Sequence, residues 1–237
     1  MLFTTAIVPA GGSGSRFGSI TNKVFHPIGG RPILIRVLEL LDTSWSIDEV
    51  IVVLRDSDKA AGKSLIEKGG ISKVKKIARG GLTRQQSVHN ALKLIDNKAS
   101  VVLIHDAARP FLSQELIISS LEALDGCDGV VSGLTLKDTI KEVRDGFAVK
   151  TLDRDVLVAV ATPQVFHYGT IFDAYERAAA DGLNFTDDTS AVEHYGGRIK
   201  IIPGEYNNIK ITTQEDIIFA DHLLALASKS LAAKRRR

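Results

Sequence analysis

Thr5-Ala6-Ile7-Val8-Pro9-Ala10-Gly11-Gly12-Ser13-Gly14-Ser15-Arg16-Phe17-Gly18 is the stretch on which the fold turns. A short apolar run at 5–8, with strand character, passes directly into a glycine cluster. Glycines let the backbone turn tightly and bring several N–H groups to bear on an anion without side-chain obstruction. In an open α/β sheet, ligands bind outside the carboxyl ends of the strands, which is where this loop would lie. It matches neither common phosphate loop. A P-loop ends in Gly-Lys-Ser/Thr, whereas Ser15-Arg16-Phe17 stands here. The dinucleotide fingerprint asks for a small residue where Phe17 sits, and no acidic residue follows at the distance needed for ribose recognition. What remains is a glycine loop with Arg16 in it and Lys23 seven residues on. An Arg fork and a mobile Lys charge suit a triphosphate that must lose pyrophosphate. A plain surface loop is the competing reading, and the position after a strand and the basic content weigh against it.

Outward from this loop, apolar runs at 50–54, 74–77, 101–104 and 129–134 also read as strands. Between them, Ile33, Leu34, Val37, Leu38 and Leu41 form one helical stripe, with Pro32 in the first turn. Segments 87–94 and 115–124 read as helices. Nearly all-apolar strands alternating with helices predict an α/β chain with a parallel sheet covered on both faces. The rhythm changes past 134. Segments 139–143 and 148–152 alternate around Arg144-Asp145-Gly146, and Asp-Gly is a strong hairpin signal. A hairpin interrupting a βαβ series projects from the sheet, and pairing with a second subunit would bury it. Helices near 171–180 and 189–195, a strand at 198–202 and a helix from 213 to about 227 complete the reading. No repeat or composition break divides residues 1–237, so one domain with an arm inserted at about 136–155 is expected.

Composition excludes several classes. Apolar content of 44% and charged content of 24% are ordinary for a globular protein, and a net charge of +2 argues neither for nor against nucleic acid, since a local basic patch can hide in a balanced total. The single cysteine, Cys127, excludes an intramolecular disulfide framework and reads as a buried structural thiol. No apolar run reaches the roughly 18 residues needed to span a bilayer, and no secretory signal is apparent, so the expected location is the cytoplasm. The basic run at 234–237 reads as a solvated tail.

Further motifs carry chemistry. In Val101-Val102-Leu103-Ile104-His105-Asp106-Ala107-Ala108-Arg109-Pro110 a buried strand ends in an acid, well placed to hold Mg²⁺. A helix-capping role for Asp106 is the plainer alternative, and His105 reads as packed or hydrogen-bonded rather than catalytic. Gly80-Gly81-Leu82-Thr83-Arg84-Gln85-Gln86-Ser87 is a second glycine turn entering a helix. Thr186-Asp187-Asp188-Thr189-Ser190 reads as a helix cap, with Glu193 in capping-box relation to it. Asn208-Ile209-Lys210-Ile211-Thr212 places a lysine in a strand-like run.

These stretches, with Asp138-Thr139-Ile140-Lys141, Asp153-Arg154 and Thr162-Pro163-Gln164, run in order over nearly the whole chain. Together they resemble the methylerythritol-phosphate cytidylyltransferases of the non-mevalonate isoprenoid pathway, with ribitol-phosphate cytidylyltransferases as near relatives. The resemblance implies a Rossmann-like nucleotidyltransferase fold, a mainly parallel twisted sheet flanked by helices, and a homodimer whose projecting β-arms clasp each other. It implies CTP and a sugar-alcohol phosphate as substrates, with Mg²⁺ or another divalent cation at Asp106. Cytosine and ribose would lie against Pro9, Ala10, Gly11, Gly12, Gly81, Ser87, Asp106 and Ala107. Arg16, Lys23 and Lys210 would hold the triphosphate. Asp106, Arg109, Thr139, Arg154, Thr186 and Lys210 would surround the sugar phosphate, Arg154 coming from the partner's arm. Neither nucleic acid nor membrane is implied as a partner.

Two departures stand out. The family usually has Pro-Lys-Gln-Phe where this chain has Asn22-Lys23-Val24-Phe25, and often alanine where Gly11 stands. Ala108 favours the isoprenoid enzyme over its ribitol-phosphate relatives, which more often carry valine there. Ribitol-phosphate transfer and a non-catalytic nucleotide-binding module are the alternatives. The joint presence of Arg16, Lys23, Asp106 and Lys210 speaks against mere binding.

Overall fold

The computed structural model describes residues 2–12, 22–96 and 99–234. In chain order it runs β1 (Thr4–Pro9), β2 (Pro27–Ile28), β3 (Arg31–Pro32), α1 (Ile33–Thr43), β4 (Glu49–Leu54), α2 (Lys59–Lys68), β5 (Val74–Arg79), α3 (Arg84–Leu92), β6 (Val101–Ile104), α4 (Gln114–Glu122) and β7 (Gly129–Thr135). There follow β8 (Ile140–Arg144), β9 (Phe147–Leu152), β10 (Val158–His167), α5 (Tyr168–Ala180), α6 (Asp188–His194), β11 (Ile199–Pro203) and α7 (Glu215–Lys234).

A seven-stranded sheet in the order β11-β7-β10-β6-β1-β4-β5 forms the middle layer. Because successive side chains on a strand point to opposite faces, each central strand feeds two cores. Ala6 and Val8 of β1 with Val50, Val52 and Leu54 of β4 pack against Leu34, Val37, Leu38 and Leu41 of α1 and Leu116 and Ile117 of α4. The intervening Ile7, Ile51 and Val53, with Val102 and Ile104, meet Val88 and Leu92 of α3 and Ile171 and Tyr175 of α5 on the other face. This two-faced burial is why the strands read as continuous apolar runs. It is an α/β sheet, mostly parallel, as expected.

Some elements differ from the sequence reading. β10 was not expected, and it pairs antiparallel with both β6 and β7, making the sheet mixed. Pro163 lacks an N–H and argues against an interior strand, and the pairing register shifts between Val160 and Gln164 around it. α2 was also missed, since its Lys-rich sequence buries only Gly62 and Ile66. Pro32 precedes the first turn of α1 rather than lying in it. α3 begins at Arg84, with the Thr83 hydroxyl capping Gln86 N, three residues before the expected start. Residues 208–212 form no strand; Ile211 N donates to Ala108 O at 2.8 Å instead. α6 is capped by Asp187, which accepts from Ser190 N at 3.1 Å, and Glu193 takes no part. Cys127 is only partly buried. The tail residues 235–237 lie outside the described residues, and no described helix is long and apolar enough to cross a membrane.

β8 and β9 form a two-stranded sheet of their own. Asp145 and Gly146 at its turn have φ of 52° and 83°, the positive pair that a tight two-residue hairpin demands.

In the core, Phe166 is fully buried, and its ring fills the space beside Gly129, where an added Cβ would lie 2.5 Å from the ring. Phe166→Ala is expected to lower unfolding free energy by about 3–5 kcal/mol. Urea denaturation at unchanged m-value measures this, and a loss below 1 kcal/mol would mean that the site collapses around the gap.

Candidate active site

Parallel pairing of β1 with β4 and β6 brings the carboxyl ends of these strands to one edge. The segments that follow them line a cleft of about 520 Å³, within the range of ligand pockets. Pro9 to Gly12, Asn22 to Val24, Arg55, Gly81 to Arg84, Ser87, Asp106, Ala108, Lys210 and Thr212 line it.

Asp106 is the electrostatic centre. Its Oδ1 accepts from Arg84 Nε at 3.2 Å and its Oδ2 from Lys210 Nζ at 2.7 Å. Burial alone would raise its pKa, but the charges of Arg84 and Lys210 outweigh burial and hold the carboxyl well below the usual range. Arg84 in turn makes a bidentate pair with Asp188, at 2.8 and 2.7 Å. Asp188 is fully buried and also accepts from the Tyr175 hydroxyl. Burial opposes the Arg84 charge, and the two aspartates more than offset it. For Tyr175 burial and Asp188 act together and push the phenol well above its ordinary range.

Side chains from β10 fix the surroundings. Gln164 Oε1 accepts from Asp188 N and Thr189 N at 3.1 and 3.2 Å, and its amide donates to Asp187 at 2.9 Å. Thr162 Oγ1 accepts from Asp106 N at 3.1 Å and lies 3.2 Å from His105 Nδ1. Burial lowers the His105 pKa to about 4, so at neutral pH it is an uncharged packing and hydrogen-bonding residue. Asn208 Nδ2 donates to Thr162 O at 2.8 Å, anchoring the irregular segment that carries Lys210.

Lys23 stands on a 3-10 turn, Lys23–Phe25, seated by the buried Val24 and capped by Asn22. Its Nζ donates to Ile211 O at 2.8 Å, next in sequence to Lys210. The Asn22-Lys23-Val24 variation thus still delivers the lysine to the cleft. Ser87 Oγ shapes the second glycine turn, donating to Thr83 O at 2.8 Å and accepting from Gly81 N at 2.9 Å. A Cβ on Gly11 would make only ordinary contacts, the nearest at 3.7 Å to Arg55 Cγ, which agrees with alanine being acceptable there.

Of the residues singled out from sequence, Pro9, Ala10, Gly11, Gly12, Lys23, Gly81, Ser87, Asp106 and Lys210 converge on this cleft. Ala107 is fully buried and touches the first loop through its backbone, its N donating to Pro9 O at 3.2 Å, while Ala108 is the one that lines the cleft. Arg109 lies behind it, donating to Asn208 O at 2.8 Å. Thr139, Arg154 and Thr186 are exposed and outside the lining; Arg154 donates to Lys137 O at 2.6 Å. Arg16 lies outside the described residues. Sequence reasoning passed over Arg84, Asp188, Tyr175 and Asn208. Arg84 sat within a quoted glycine turn, but its partner is 104 residues away and nothing local marks the pair.

Among the described residues lining the cleft there is no histidine or cysteine to generate a nucleophile. The chemistry on offer is the holding and neutralising of phosphates at the edge of an α/β sheet, and fold and site together define a nucleotidyltransferase. Residues 4–226 match the family model IspD, 2-C-methyl-D-erythritol 4-phosphate cytidylyltransferase. The cytidylyltransferase of that name from Clostridium tetani is 42% identical over 221 residues, 92% of this chain and 89% of the relative. That from Geobacter metallireducens is 39% identical over 220 residues, 91% and 95% of the two chains. The crystal structure of 4-diphosphocytidyl-2C-methyl-D-erythritol synthase from Anaerococcus prevotii superposes with a TM-score of 0.83 at 36% identity, covering 94% of this chain and 96% of its own. The chain belongs to the 2-C-methyl-D-erythritol 4-phosphate cytidylyltransferase family.

Removing Arg84 would strand the buried Asp188, so Arg84→Ala is expected to cost about 3–5 kcal/mol of stability. Lys210 is 40% exposed and Asp106 would keep Arg84, so Lys210→Ala is expected to cost no more than about 1 kcal/mol. Equal losses in denaturant titrations would show that the two cations do not differ in this way.

Proposed function

We propose that the cleft binds CTP and 2-C-methyl-D-erythritol 4-phosphate and transfers the cytidylyl group to the sugar phosphate with release of pyrophosphate, a step of isoprenoid biosynthesis. The observation that carries this reading is the presence of Lys23 and Lys210 in one cleft with the glycine segment Pro9 to Gly12. Lys23 Nζ is held by Ile211 O, and Lys210 Nζ by the ionised Asp106. The substrate monoester, with a second pKa near 6, is largely dianionic at neutral pH and needs no general base. It needs alignment with the α-phosphorus and cations to offset charge as two anions approach.

In this reading Pro9, Ala10, Gly11 and Gly12 receive the nucleoside with Gly81, Ser87 and Ala107, largely through backbone groups. Arg16, Lys23 and Lys210 hold the triphosphate and stabilise the departing pyrophosphate. Arg109, whose Nε is buried with no hydrogen-bond partner, faces the sugar phosphate with Thr139 and Thr186, joined by Arg154 from a second copy of the chain. Asp106 is the one carboxylate among the described residues lining the cleft, so a cation bound there would have it as its protein carboxylate. That donor set fits Mg²⁺, which accepts one carboxylate together with phosphate oxygens and water. Bound there, Mg²⁺ would supply further neutralisation of phosphate charge.

The chain acts as one domain, with the β8–β9 hairpin as a dimerisation arm. Val143, Phe147 and Val149 are 61%, 77% and 54% exposed, an apolar surface that a second arm would cover. Phosphorylated, water-soluble substrates suit a cytoplasmic enzyme.

Pyrophosphate release from CTP is the decisive assay, run in parallel with methylerythritol phosphate and ribitol phosphate. Activity with ribitol phosphate alone would overturn the substrate, and silence with both would overturn the reaction. Lys23→Ala is expected to fold normally and lose about a hundredfold or more in turnover, the scale of one lost transition-state contact; near-normal turnover would remove Lys23 from the mechanism. Phe147→Asp is expected to convert a dimer into a monomer in light scattering, and an unchanged dimer would exclude the arm from the interface.

A further inference from the structure

Ala10 directly follows β1, and Asn22 directly precedes the turn that carries Lys23. One side chain ties these two points together. Asn22 Nδ2 donates to Ala10 O at 2.7 Å and to Asp58 Oδ2 at 2.9 Å, while its Oδ1 accepts from Val24 N at 3.3 Å. The residue is only 2% exposed. Asp58 Oδ2 also takes Arg55 Nε at 2.9 Å, and Arg55 lines the cleft beside Gly11. Two donors and one acceptor on a short stem are all engaged. Asp would present no donor to Ala10 O, and Ala would leave that carbonyl and the Val24 N–H without their partner.

We propose that Asn22 is a positioning residue for the transfer reaction. It ties the turn from which Lys23 enters the cleft to Ala10 after β1, with Asp58 as its anchor. Asn22 borders the cleft, but its amide is engaged by Ala10, Asp58 and Val24, so its effect passes through Lys23, the next residue, whose Nζ donates to Ile211 O from the capped turn. This inference rests on the reading that Lys23 contacts the triphosphate.

The test measures kcat, the KM for CTP and the thermal midpoint for Asn22→Ala, Lys23→Ala and the double variant. Displacing a phosphate-binding cation by an ångström is costly, so Asn22→Ala should lower kcat about tenfold, with a smaller change in KM. In the Lys23→Ala background, removing Asn22 should cost less than about twofold, because the group being positioned is already gone. A merely structural role would cost the same factor in both backgrounds, and that result overturns the proposal, as does a folded Asn22→Ala enzyme with full kcat. Should Asn22→Ala fail to fold, Asp58→Asn replaces it in the cycle, since it keeps the Ala10 and Val24 bonds. Its loss must likewise vanish without Lys23, and additivity overturns the proposal. Full activity of Lys23→Ala alone strikes the assigned role of Lys23, whereas an impaired Lys23→Ala with additive Asn22→Ala strikes only this inference.

Discussion

The site depends on one partly buried guanidinium. Arg84 holds Asp188 by two hydrogen bonds and Asp106 by a third, so a glycine turn, the start of α6 and the end of β6 are fastened to a single planar group. An aspartate with no exposed surface, such as Asp188, is tolerable only when its charge is matched and its oxygens are hydrogen-bonded. Arg84 of α3 and Tyr175 of α5 meet that requirement between them. Remove the guanidinium and Asp188 would lose its charge partner, while Asp106 would be left with Lys210 alone.

The same arrangement makes the cleft useful. With Arg84 on one oxygen, Asp106 stays ionised in a buried position and still presents its second oxygen to Lys210. Lys210 is therefore aimed into the cleft instead of being free to explore solvent. Lys23 arrives through a capped turn and is braced on the Ile211 carbonyl, next in sequence to Lys210. Preorganised cations of this kind reorganise little when phosphate charge shifts, which is the condition for strong electrostatic stabilisation. β10 contributes by position: as the antiparallel strand beside β6 it supplies Thr162 and Gln164, which orient Asp106 and the α6 cap.

The layers of the fold were legible because burial on both faces of a parallel sheet demands apolar strands, and 5–8, 50–54 and 101–104 are almost uniformly apolar. The hairpin was legible for a local reason as well, since Asp145-Gly146 suits two consecutive positive φ angles. β10 was hidden because Pro163 contradicts an interior strand by every local criterion, and only a shift in pairing register accommodates it. α2 was hidden because it buries too little to show a stripe.

For the site, sequence by itself determined the glycine loop, the cations Arg16 and Lys23, and an acid at the end of a strand, because each is a local consequence of backbone freedom and charge. Their order along the chain carried the family. Which charges meet was decided only by tertiary structure. Arg84 and Asp188 are separated by 104 residues, as are Lys210 and Asp106, and ion pairs have no periodicity for a sequence to display. The role of Asn22 is of the same kind: an asparagine before a lysine says nothing until folding brings Ala10 and Asp58 within hydrogen-bonding reach of its amide.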